Sequence, residues 1–524
     1  MDHCLMPTRL QSVSASSGSF SDLLKAKPGA LAVLPVFQSE SDEPEPSFVL
    51  NAQLNELQQL TGLDLPAFLK GEGFNGAAAS SVYLSSPSLS NPMLFVGLGK
   101  SSKARPYRLH KAFAKAFASI QRKDLPAMIA TLQPTIDSGS NLTLESGSTN
   151  GSAAYQVGLQ LICAAGDYCY HSREAKEPGK ALSELLLHGS ASDLASLPDF
   201  GLATARARAS AMDLVNMPAN IKRTTTLVDE ARTLESQGIA VRIEDDVKWI
   251  SEQMPCFFEV AKGSLATDPP KWITATYKPA TDVRHRIALI GKSVIFDTGG
   301  YQVKPDPYMN TMKADMTGGA TVLSVLREIA ALKLPNVEVT AYLAATPNKI
   351  DSDAMIPDSI VNTSSGKKVE IRHTDAEGRL TLIDAVTQAE RENPDLLFTI
   401  ATLTGSASRA VGPRIALMAT DTQWRDRFAA SCERHGEPCQ TLDIVEEDFE
   451  DIKSKLDGAD INNTGHEKYR GAQTAAAFVF SGLKKSDRPL LHLDVAGGDM
   501  TSEEKATGIA VRGLMGFLRE LSQG

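Results

Sequence analysis

Three charged side chains alternate along residues 372–380, which read RHTDAEGRL. Asp375, Glu377 and Arg379 follow a strand-like KKVEI and precede TLIDAVTQA, which is apolar at helical spacing. If the stretch is extended, side chains two and four residues apart share one face, so the three groups would crowd together. Carboxylates at such short distances raise each other's pKa unless a cation compensates their charge. The pattern therefore predicts a cation bound at this point in the chain.

A second segment, residues 287–320, also places charged side chains at the edges of apolar runs. Lys292 and Asp297 flank the apolar SVIF, and a Gly-Gly pair that permits a sharp turn follows Asp297 closely. Lys304 lies downstream, and Asp315 stands just before a glycine-led helical pattern. Carboxylates at such edges cost free energy unless they have a partner, so both aspartates are candidate ligands.

The two segments together gather seven charged residues: Lys292, Asp297, Lys304, Asp315, Asp375, Glu377 and Arg379. Four carboxylates balanced by two lysines and an arginine could form a buried ion-pair network, and each residue taken alone suits that interpretation. Hard oxygen donors at strand ends, taken as a set, fit divalent cations better. Two metal ions about 3.5–4 Å apart can share bridging carboxylates, polarise a carbonyl and activate a water. The predicted cation is therefore a pair of metal ions.

Alternating strand and helix patterns surround both segments. Strands are predicted at 240–245, 272–278, 286–291, 337–346, 395–405 and 489–497, and helices at 318–332 and 381–392. Such alternation predicts an α/β fold with a mixed, largely parallel central sheet covered on both faces. Ligands usually bind beyond the carboxyl ends of such strands, where the charged residues lie.

The amino-terminal third reads as a separate α/β region, with short apolar strands predicted at 30–37 and 93–99. Acidic or Ser/Gly-rich stretches at 38–47, 85–92 and 137–152 are predicted to be surface insertions. We find no catalytic pattern in this region and expect it to serve packing or assembly.

A helix pattern over 203–218 ends at Pro218 and is a candidate connector between domains. We therefore predict an N-terminal α/β domain over residues 1–197, a linker helix over 198–217 and a catalytic domain over 218–524. A chain of 524 residues is long enough for two or three such domains.

Composition disfavours several classes of protein. The net charge of −10 argues against a general nucleic-acid or anionic-membrane binder. No apolar run approaches the roughly 18 residues of a transmembrane helix, so none is expected. The first residues, MDHCLMPTRLQSVSASSG, show no apolar core of a secretory signal, and none is expected. Six scattered cysteines suit reduced thiols in the cytosol.

The stretches that carry the charged residues, GKSVIFDTGG, KADMTGGA and TDAEGRL, resemble the leucyl aminopeptidase family of dinuclear metallo-aminopeptidases. DLVNMPAN, YKP, ATLTGS, NNTG and HLDVAG support the resemblance, which is close over roughly residues 205–520 and general in plan before them. The resemblance implies a macro-like N-terminal α/β domain joined by a helix to a C-terminal α/β catalytic domain.

The resemblance also implies a set of metal ligands. Asp297 and Glu377 would bridge both ions, and Lys292 and Asp315 would complete the tighter site. Asp375 would complete the more exchangeable site through its side chain and its backbone oxygen. A lysine ligand must bind as the neutral amine, and an adjacent dication would supply the necessary pKa depression.

Further residues would act on the substrate. Lys304 would stay cationic and donate to the developing oxyanion, and Arg379 would hold a bicarbonate ion that serves as general base for the bridging water. The free α-amine of the substrate would bind one metal ion and Asp315, which accounts for exopeptidase action. A mostly apolar pocket would favour leucine-like first residues and consist of Met312, Thr402, Leu403, Gly405 and Ala496.

Among the residues that depart from the family pattern, two lie beside predicted site residues. His373 stands where asparagine is usual, two residues before Asp375, and is either a partner that tunes Asp375 or a histidine with satisfied hydrogen bonds. Asp499 lies near a pocket position that is usually apolar in the family. If its carboxyl faces the pocket, the pocket could also accept basic or polar substrate side chains.

The sequence thus predicts a cytosolic aminopeptidase that releases N-terminal residues from peptides. The expected cofactors are two divalent ions per subunit together with bicarbonate. The expected ions are zinc or manganese, with cobalt or magnesium as the alternatives. The family resemblance further implies a homohexamer with active sites facing an interior cavity. The alternatives are a DNA-binding scaffold protein, which the acidic balance disfavours, and a two-metal phosphoesterase, since paired metals also hydrolyse phosphate esters.

Overall fold

The computed structural model describes residues 10–38, 52–120, 127–132, 153–171, 182 and 184–524. The predicted insertion at 137–152, most of the one at 38–47 and the first nine residues lie outside this part of the chain. The predicted insertion at 85–92 is a loop between two strands.

The chain forms two compact units, one of residues 1–209 with 433–436 and the other of residues 210–432 with 437–524. The division after residue 209 falls within a helix, Leu197–Asn216, which the sequence predicted over 203–218. The helix begins at Leu197, one residue before the start of the linker helix predicted over 198–217. Pro198 fits its first turn because an N–H at that position has no partner within the helix.

The first unit contains a six-stranded sheet. Strands β1–β6 span Ser12–Ser16, Leu31–Gln38, Ser81–Leu84, Met93–Lys100, Ala127–Thr131 and Glu184–His188. Helices α1–α7 span Phe20–Ala26, Ala52–Thr61, Leu65–Gly71, Pro106–Ala118, Ala153–His171, Ala191–Leu194 and Leu197–Asn216. The order is β1-β6-β5-β2-β4-β3, and neighbours are parallel except β3 and β4. Both predicted strands are present, as β2 and β4.

The second unit carries the remaining elements. Strands β7–β17 span Ala240–Glu244, Lys271–Tyr277, His285–Asp297, Val337–Asn348, Ser359–Asn362, Lys368–Ile371, Leu396–Ala401, Ile415–Ala419, Cys439–Thr441, Ile461–Asn462 and Leu490–Asp494. Helices α8–α17 span Thr224–Thr233, Val247–Gln253, Pro255–Ala261, Thr317–Ala331, Glu377–Glu390, Gly405–Val411, Thr422–His435, Glu446–Asp451, Gly471–Phe480 and Val511–Gln523. Across the described ranges, the helices are too short or too polar to cross a membrane. The cysteines in those ranges have free thiols.

An eight-stranded sheet, ordered β15-β14-β17-β13-β9-β10-β8-β7, forms the centre of the second unit. Its central strands β17, β13, β9 and β10 are mutually parallel. Antiparallel pairs flank them, β14 with β17 on one side and β8 with β10 and β7 on the other. The predicted mixed, largely parallel sheet is confirmed. A separate small sheet has the order β11-β12-β16.

Apolar side chains cover both faces of the central sheet. On one face, Ile290 of β9 and Leu397 of β13 belong to a buried cluster with Val386 of α12. On the other, Phe398 of β13 packs edge-to-face against Phe517 of α17, with ring centroids 5.7 Å apart. Consecutive residues of β13 thus enter different cores, which is why this strand reads as one continuous apolar run.

Helix α11 approaches the sheet closely at its amino end. A Cβ on Gly318 would lie 1.9 Å from the Ile400 carbonyl oxygen and 2.7 Å from the Lys292 amide nitrogen, so only glycine fits there. The start of α11 therefore lies directly against β9 and β13. This contact brings Asp315, just before the helix, to the region where those strands carry polar residues.

Candidate metal centre

Lys292 and Asp297 of β9 share one face of the sheet because the strand is irregular. Lys292 pairs with Ala344 of β10 in regular register, but the register shifts between Thr346 and Asn348, and Asp297 becomes the partner of Asn348. The bulge places one extra residue in β9. Lys292 and Asp297 are five positions apart, and side chains at an odd separation in a regular strand point to opposite faces. The extra residue shifts the alternation by one position, so the two side chains point to the same face.

A glycine turn directs Lys304 back toward Asp297. Gly299 and Gly300 have φ angles of 87° and 66°, a left-handed conformation that glycine adopts without strain. The Gly299 amide donates to Asp297 Oδ1 at 2.8 Å, and the Lys304 ammonium lies 2.8 Å from Asp297 Oδ2. The same ammonium lies 2.5 Å from Asp375 Oδ1. Lys304 thereby joins the two segments that the sequence singled out.

Lys292 joins the other two carboxylates. Its ammonium lies 2.6 Å from Asp315 Oδ1 and 2.9 Å from Glu377 Oε1, and all three side chains are buried. Thr402, just beyond β13, donates to Asp315 Oδ1 at 2.9 Å and accepts from Lys292 through its carbonyl at 3.0 Å. A Cβ on Gly378 would lie 2.5 Å from Lys292 Cε, so the glycine after Glu377 makes room for these contacts.

The segment carrying Asp375, Glu377 and Arg379 is not extended, so the alternation expected from its two-residue spacing is wrong. Asp375 lies in a loop after β12, whereas Glu377 and Arg379 occupy the first turn of α12. The helix begins at Glu377 because the helix dipole favours an acidic first turn and the helical apolar spacing starts close behind. The carboxylates still converge, since Lys304 contacts Asp375 and Lys292 contacts Glu377.

Three carboxylates of the cluster fit a metal ion. Asp297, Asp315 and Glu377 each offer one oxygen, and these oxygens lie within 4.8 Å of one another. Asp315 Oδ2 is buried and has no hydrogen-bond partner among the described residues. A buried oxygen without a protein partner suits an ion as its partner, and hard oxygen donors with one amine suit zinc or manganese.

Burial and mutual repulsion disfavour the charged form of the carboxylates. Burial, aided by Glu377 and Asp297, raises the pKa of Asp315 well above its ordinary value despite Lys292. Burial and the same two carboxylates raise the pKa of Asp375 to about 7 despite Lys304. The two lysines therefore do not fully offset the acids, and further positive charge would stabilise the cluster.

The carboxylates act on the lysines in return. Burial alone would lower the pKa values of Lys292 and Lys304, but the neighbouring carboxylates raise both above the ordinary lysine value. Lys304 is therefore protonated at neutral pH. Its ammonium is available as a hydrogen-bond donor at the edge of the cluster.

Arg379 adds hydrogen-bond donors that the protein leaves unused. Its side chain is buried, and neither Nε nor Nη1 has a partner among the described residues. Burial lowers the pKa of Arg379 to about 10, against the opposing effect of Glu377 and Asp494, so the guanidinium is charged at neutral pH. A buried guanidinium with free donors fits an anion that has several acceptor oxygens.

Three of the predicted pocket residues follow β13 and β17. Thr402 contacts the cluster through Asp315. The amides of Leu403 and Ala496 both donate to Asp494 Oδ1, at 3.1 and 3.2 Å. Because Asp494 is fully buried at the end of β17, it holds the two segments that carry these residues against each other.

The other two predicted pocket residues begin helical turns. Met312 starts the 3₁₀ turn Met312–Ala314 that immediately precedes Asp315, and it is half-buried. Gly405 starts α13 and is exposed, and a Cβ there would meet only Arg409 Nη1, at 3.4 Å. Open space therefore lies beside Gly405.

The two departures from the family pattern also lie near the cluster. His373 Nδ1 accepts from the Asp375 amide at 3.2 Å, so this histidine contacts the backbone of a predicted ligand. Burial, with Lys304 and Arg379, lowers the pKa of His373 and keeps the ring neutral, as an acceptor requires. Burial, with Asp494 adding to it, raises the pKa of Asp499 to about 7, while Lys292 opposes the shift.

Two buried asparagines whose role was not predicted hold the loop 372–376, which we call the ligand loop. Asn348 donates to Asp297 Oδ1 at 2.8 Å and to the Thr374 carbonyl at 3.1 Å. Asn463 donates to two carbonyls of the loop, at 2.7 and 3.4 Å, and accepts from two of its amides. The available signals were a polar residue at the carboxyl end of β10 and the NNTG motif.

Two family models match the chain. The model described as "Cytosol aminopeptidase family, catalytic domain" matches residues 209–515, which contain all the charged residues of the cluster. The model described as "Cytosol aminopeptidase family, N-terminal domain" matches residues 33–147.

Individual proteins are similar over nearly the whole chain. A probable cytosol aminopeptidase of Aquifex aeolicus is 31% identical over 495 residues, covering 91% of this chain and 95% of that protein. A point mutant of tomato leucine aminopeptidase is similar in structure, with a TM-score of 0.83, 25% identity and 98% of each chain covered. The bottromycin maturation enzyme BotP in complex with Mn has a TM-score of 0.77 and 26% identity, covering 95% of this chain and 100% of that one.

Replacing Glu377 tests whether the cluster binds metal. We expect Glu377→Ala to bind fewer than two manganese ions per chain, because it removes an oxygen that the other two carboxylates cannot replace. The measurement is elemental analysis after incubation with manganese and removal of free ions. Glu437→Ala is the control, because Glu437 is equally buried but accepts from the Arg512 and Gly513 amides instead. Two ions retained in Glu377→Ala would contradict its assignment as a ligand.

Proposed function

We propose, since the chain belongs to the cytosol aminopeptidase family and is thus an aminopeptidase, that it releases leucine and similar residues from peptide N-termini with two divalent metal ions. The convergence of Asp297, Asp315 and Glu377 within 4.8 Å, with a buried Asp315 oxygen left unpartnered, is the observation that carries this proposal. Lys292 and Asp375 would complete the ligand set. When bound, the ions would polarise the scissile carbonyl and lower the pKa of a shared water.

The side chains around the ligands would hold the ends of the substrate. The free amine of a peptide N-terminus would bind one metal ion as the neutral base and donate a hydrogen bond to the Asp315 carboxylate. Lys304 would donate to the oxyanion that develops as the carbonyl is attacked, because its ammonium stays protonated beside Asp297 and Asp375. Such a donor contributes only when charge develops, so it favours the transition state over the bound substrate.

Arg379 would hold a bicarbonate ion that accepts the proton of the attacking water. The unused Nε and Nη1 donors support this assignment, since a planar oxyanion can accept from more than one guanidinium nitrogen. His373 and Asp375 are less suited to act as the base because both already contact other groups of the site. His373 Nδ1 accepts from the Asp375 amide, and Asp375 Oδ1 contacts the Lys304 ammonium.

The first side chain of the substrate would lie among Met312, Thr402, Leu403, Gly405 and Ala496. The open space beside Gly405 and the apolar character of most of these residues support a leucine-like preference. Asp499 would extend acceptance toward basic side chains if its carboxyl faces that space. The ratio of rates on leucine and lysine anilides measures this balance.

Zinc and manganese are the proposed ions, and cobalt and magnesium are the alternatives that the donor set also accepts. The solved complex of BotP with Mn supports manganese. We further propose that the protein acts on peptides in the cytosol, in keeping with the names of the similar proteins, and that it assembles as a homohexamer. Sedimentation of the purified protein tests the assembly.

The proposed reaction is tested with aminoacyl anilides. Protein purified without chelator should hydrolyse leucine anilide, lose activity on dialysis against chelator and regain it with manganese or zinc. N-terminally acetylated leucine anilide is the control substrate, because it lacks the amine that the site should bind. Hydrolysis of aryl phosphates in place of anilides would assign the metal centre to a phosphoesterase.

Lys304→Ala should separate catalysis from metal binding. We expect manganese content to stay unchanged and kcat to fall by about 100- to 1,000-fold, because the variant lacks one oxyanion donor. Lys271→Ala is a matched control, because Lys271 is as buried as Lys304 and is ion-paired, but with Asp245. Turnover equal to that of the unmodified protein would remove the proposed role of Lys304.

Arg379→Ala should act more mildly than Lys304→Ala and should abolish the response to bicarbonate. We expect the unmodified enzyme to lose rate in carbonate-free buffer and to recover it when bicarbonate is added. The variant should be slow in both buffers, since it lacks the guanidinium that would hold the anion. Recovery of the variant by bicarbonate would contradict the assignment.

A further inference from the structure

We propose that Asn348 is a positioning residue that couples Asp297 to the ligand loop and so sets the affinity of the metal centre. The inference rests on the proposed function in that it takes Asp297 and Asp375 as ligands. Asn348 ends β10 and is almost fully buried. Its side chain lies between the carboxyl end of β9 and the ligand loop, the two segments from which ligands come.

The hydrogen bonds of Asn348 use its whole donor capacity. A primary amide has two N–H donors, and here one points to Asp297 Oδ1 at 2.8 Å and the other to the Thr374 carbonyl at 3.1 Å. Both partners are acceptors, so the orientation of the amide is fixed and cannot be reversed without losing both bonds. One rigid planar group therefore fixes the distance between a ligand and the residue preceding another ligand.

The bond to Asp297 also selects which carboxylate oxygen remains available. Oδ1 accepts from the Gly299 amide and from Asn348, both at 2.8 Å. Oδ2 instead faces the Lys304 ammonium. The asparagine thus holds Asp297 in one rotamer, with Oδ2 directed toward the cluster.

The backbone around Asn348 is equally constrained. Its carbonyl accepts from the Thr298 amide at 3.1 Å and from the Thr298 hydroxyl at 2.9 Å, which fixes the start of the glycine turn. Thr374 donates its hydroxyl to the Gly299 carbonyl at 2.6 Å, a second tie between the turn and the ligand loop. Removing the Asn348 amide would therefore leave the fold connected while releasing the Asp297 side chain.

The effect should appear as weaker metal binding. Partners that orient a metal ligand typically contribute about 10- to 100-fold in affinity. Asn348→Asp keeps the size of the side chain but replaces the NH₂ donor with an oxygen beside two acceptors. We expect its affinity for manganese to fall by about 10- to 100-fold.

Asn91→Asp is the matched control. Asn91 is a buried asparagine of the first unit that also donates to two acceptors, the Lys27 and Ala30 carbonyls, at 2.8 and 2.9 Å. The full-length variants are titrated with manganese chloride, and their thermal unfolding is followed in chelator and in manganese. A merely structural role would lower both melting temperatures of Asn348→Asp equally. The proposal requires a smaller manganese-induced rise in Asn348→Asp than in the unmodified protein or in Asn91→Asp.

Three outcomes decide the proposal. Weakened manganese binding in Asn348→Asp alone supports it, whereas unchanged binding, or an equal loss in Asn91→Asp, overturns it. If Asn348→Asp shows no unfolding transition, Asn348→Ala removes the same donors without adding a carboxylate and is measured in the same way. Metal binding is measured apart from activity, so an unmodified protein that binds manganese but cleaves no anilide would refute the proposed function alone.

Discussion

Repulsion among four carboxylates in a buried volume is the constraint on which the rest of the site depends. Each charge raises the cost of ionising the others, and burial adds to that cost. Only a backbone fixed by extensive packing can hold such a group together. The central sheet supplies that packing, and Gly318 and Gly378 permit the close approaches by which α11 and Lys292 reach the cluster.

The main elements of the catalytic unit were predictable because their signals are local. The apolar runs of β13 and β17 and the helical spacing of α11 and α12 are visible in the sequence itself. The bulge in β9 was not predictable, since the shift exists only in the pairing with β10. That irregularity has a large effect, because without it Lys292 and Asp297 would take opposite faces of the sheet.

The charged members of the site could be named from the sequence, but their conformation could not. Carboxylates at the edges of apolar runs are rare enough to attract attention, whereas the two-residue spacing of Asp375 and Glu377 fitted a strand equally well. A helix begins at Glu377 because the helix dipole favours an acidic residue in the first turn and the residues downstream have helical apolar spacing. Asn348 and Asn463 escaped notice because asparagine is common in turns and only its contacts distinguish a structural from a functional one.

Neutral amides are better suited than cations to orient ligands in such a cluster. A cation in place of Asn348 would hold Asp297 firmly, but it would also offset part of the negative charge that attracts metal ions. Lys292 and Lys304 already have that effect, each bound to two carboxylates. The amide donates two hydrogen bonds, carries no net charge and does not titrate, so it fixes geometry without weakening the field at the site. The position of Asn348 therefore follows from the same repulsion that favours a bound cation.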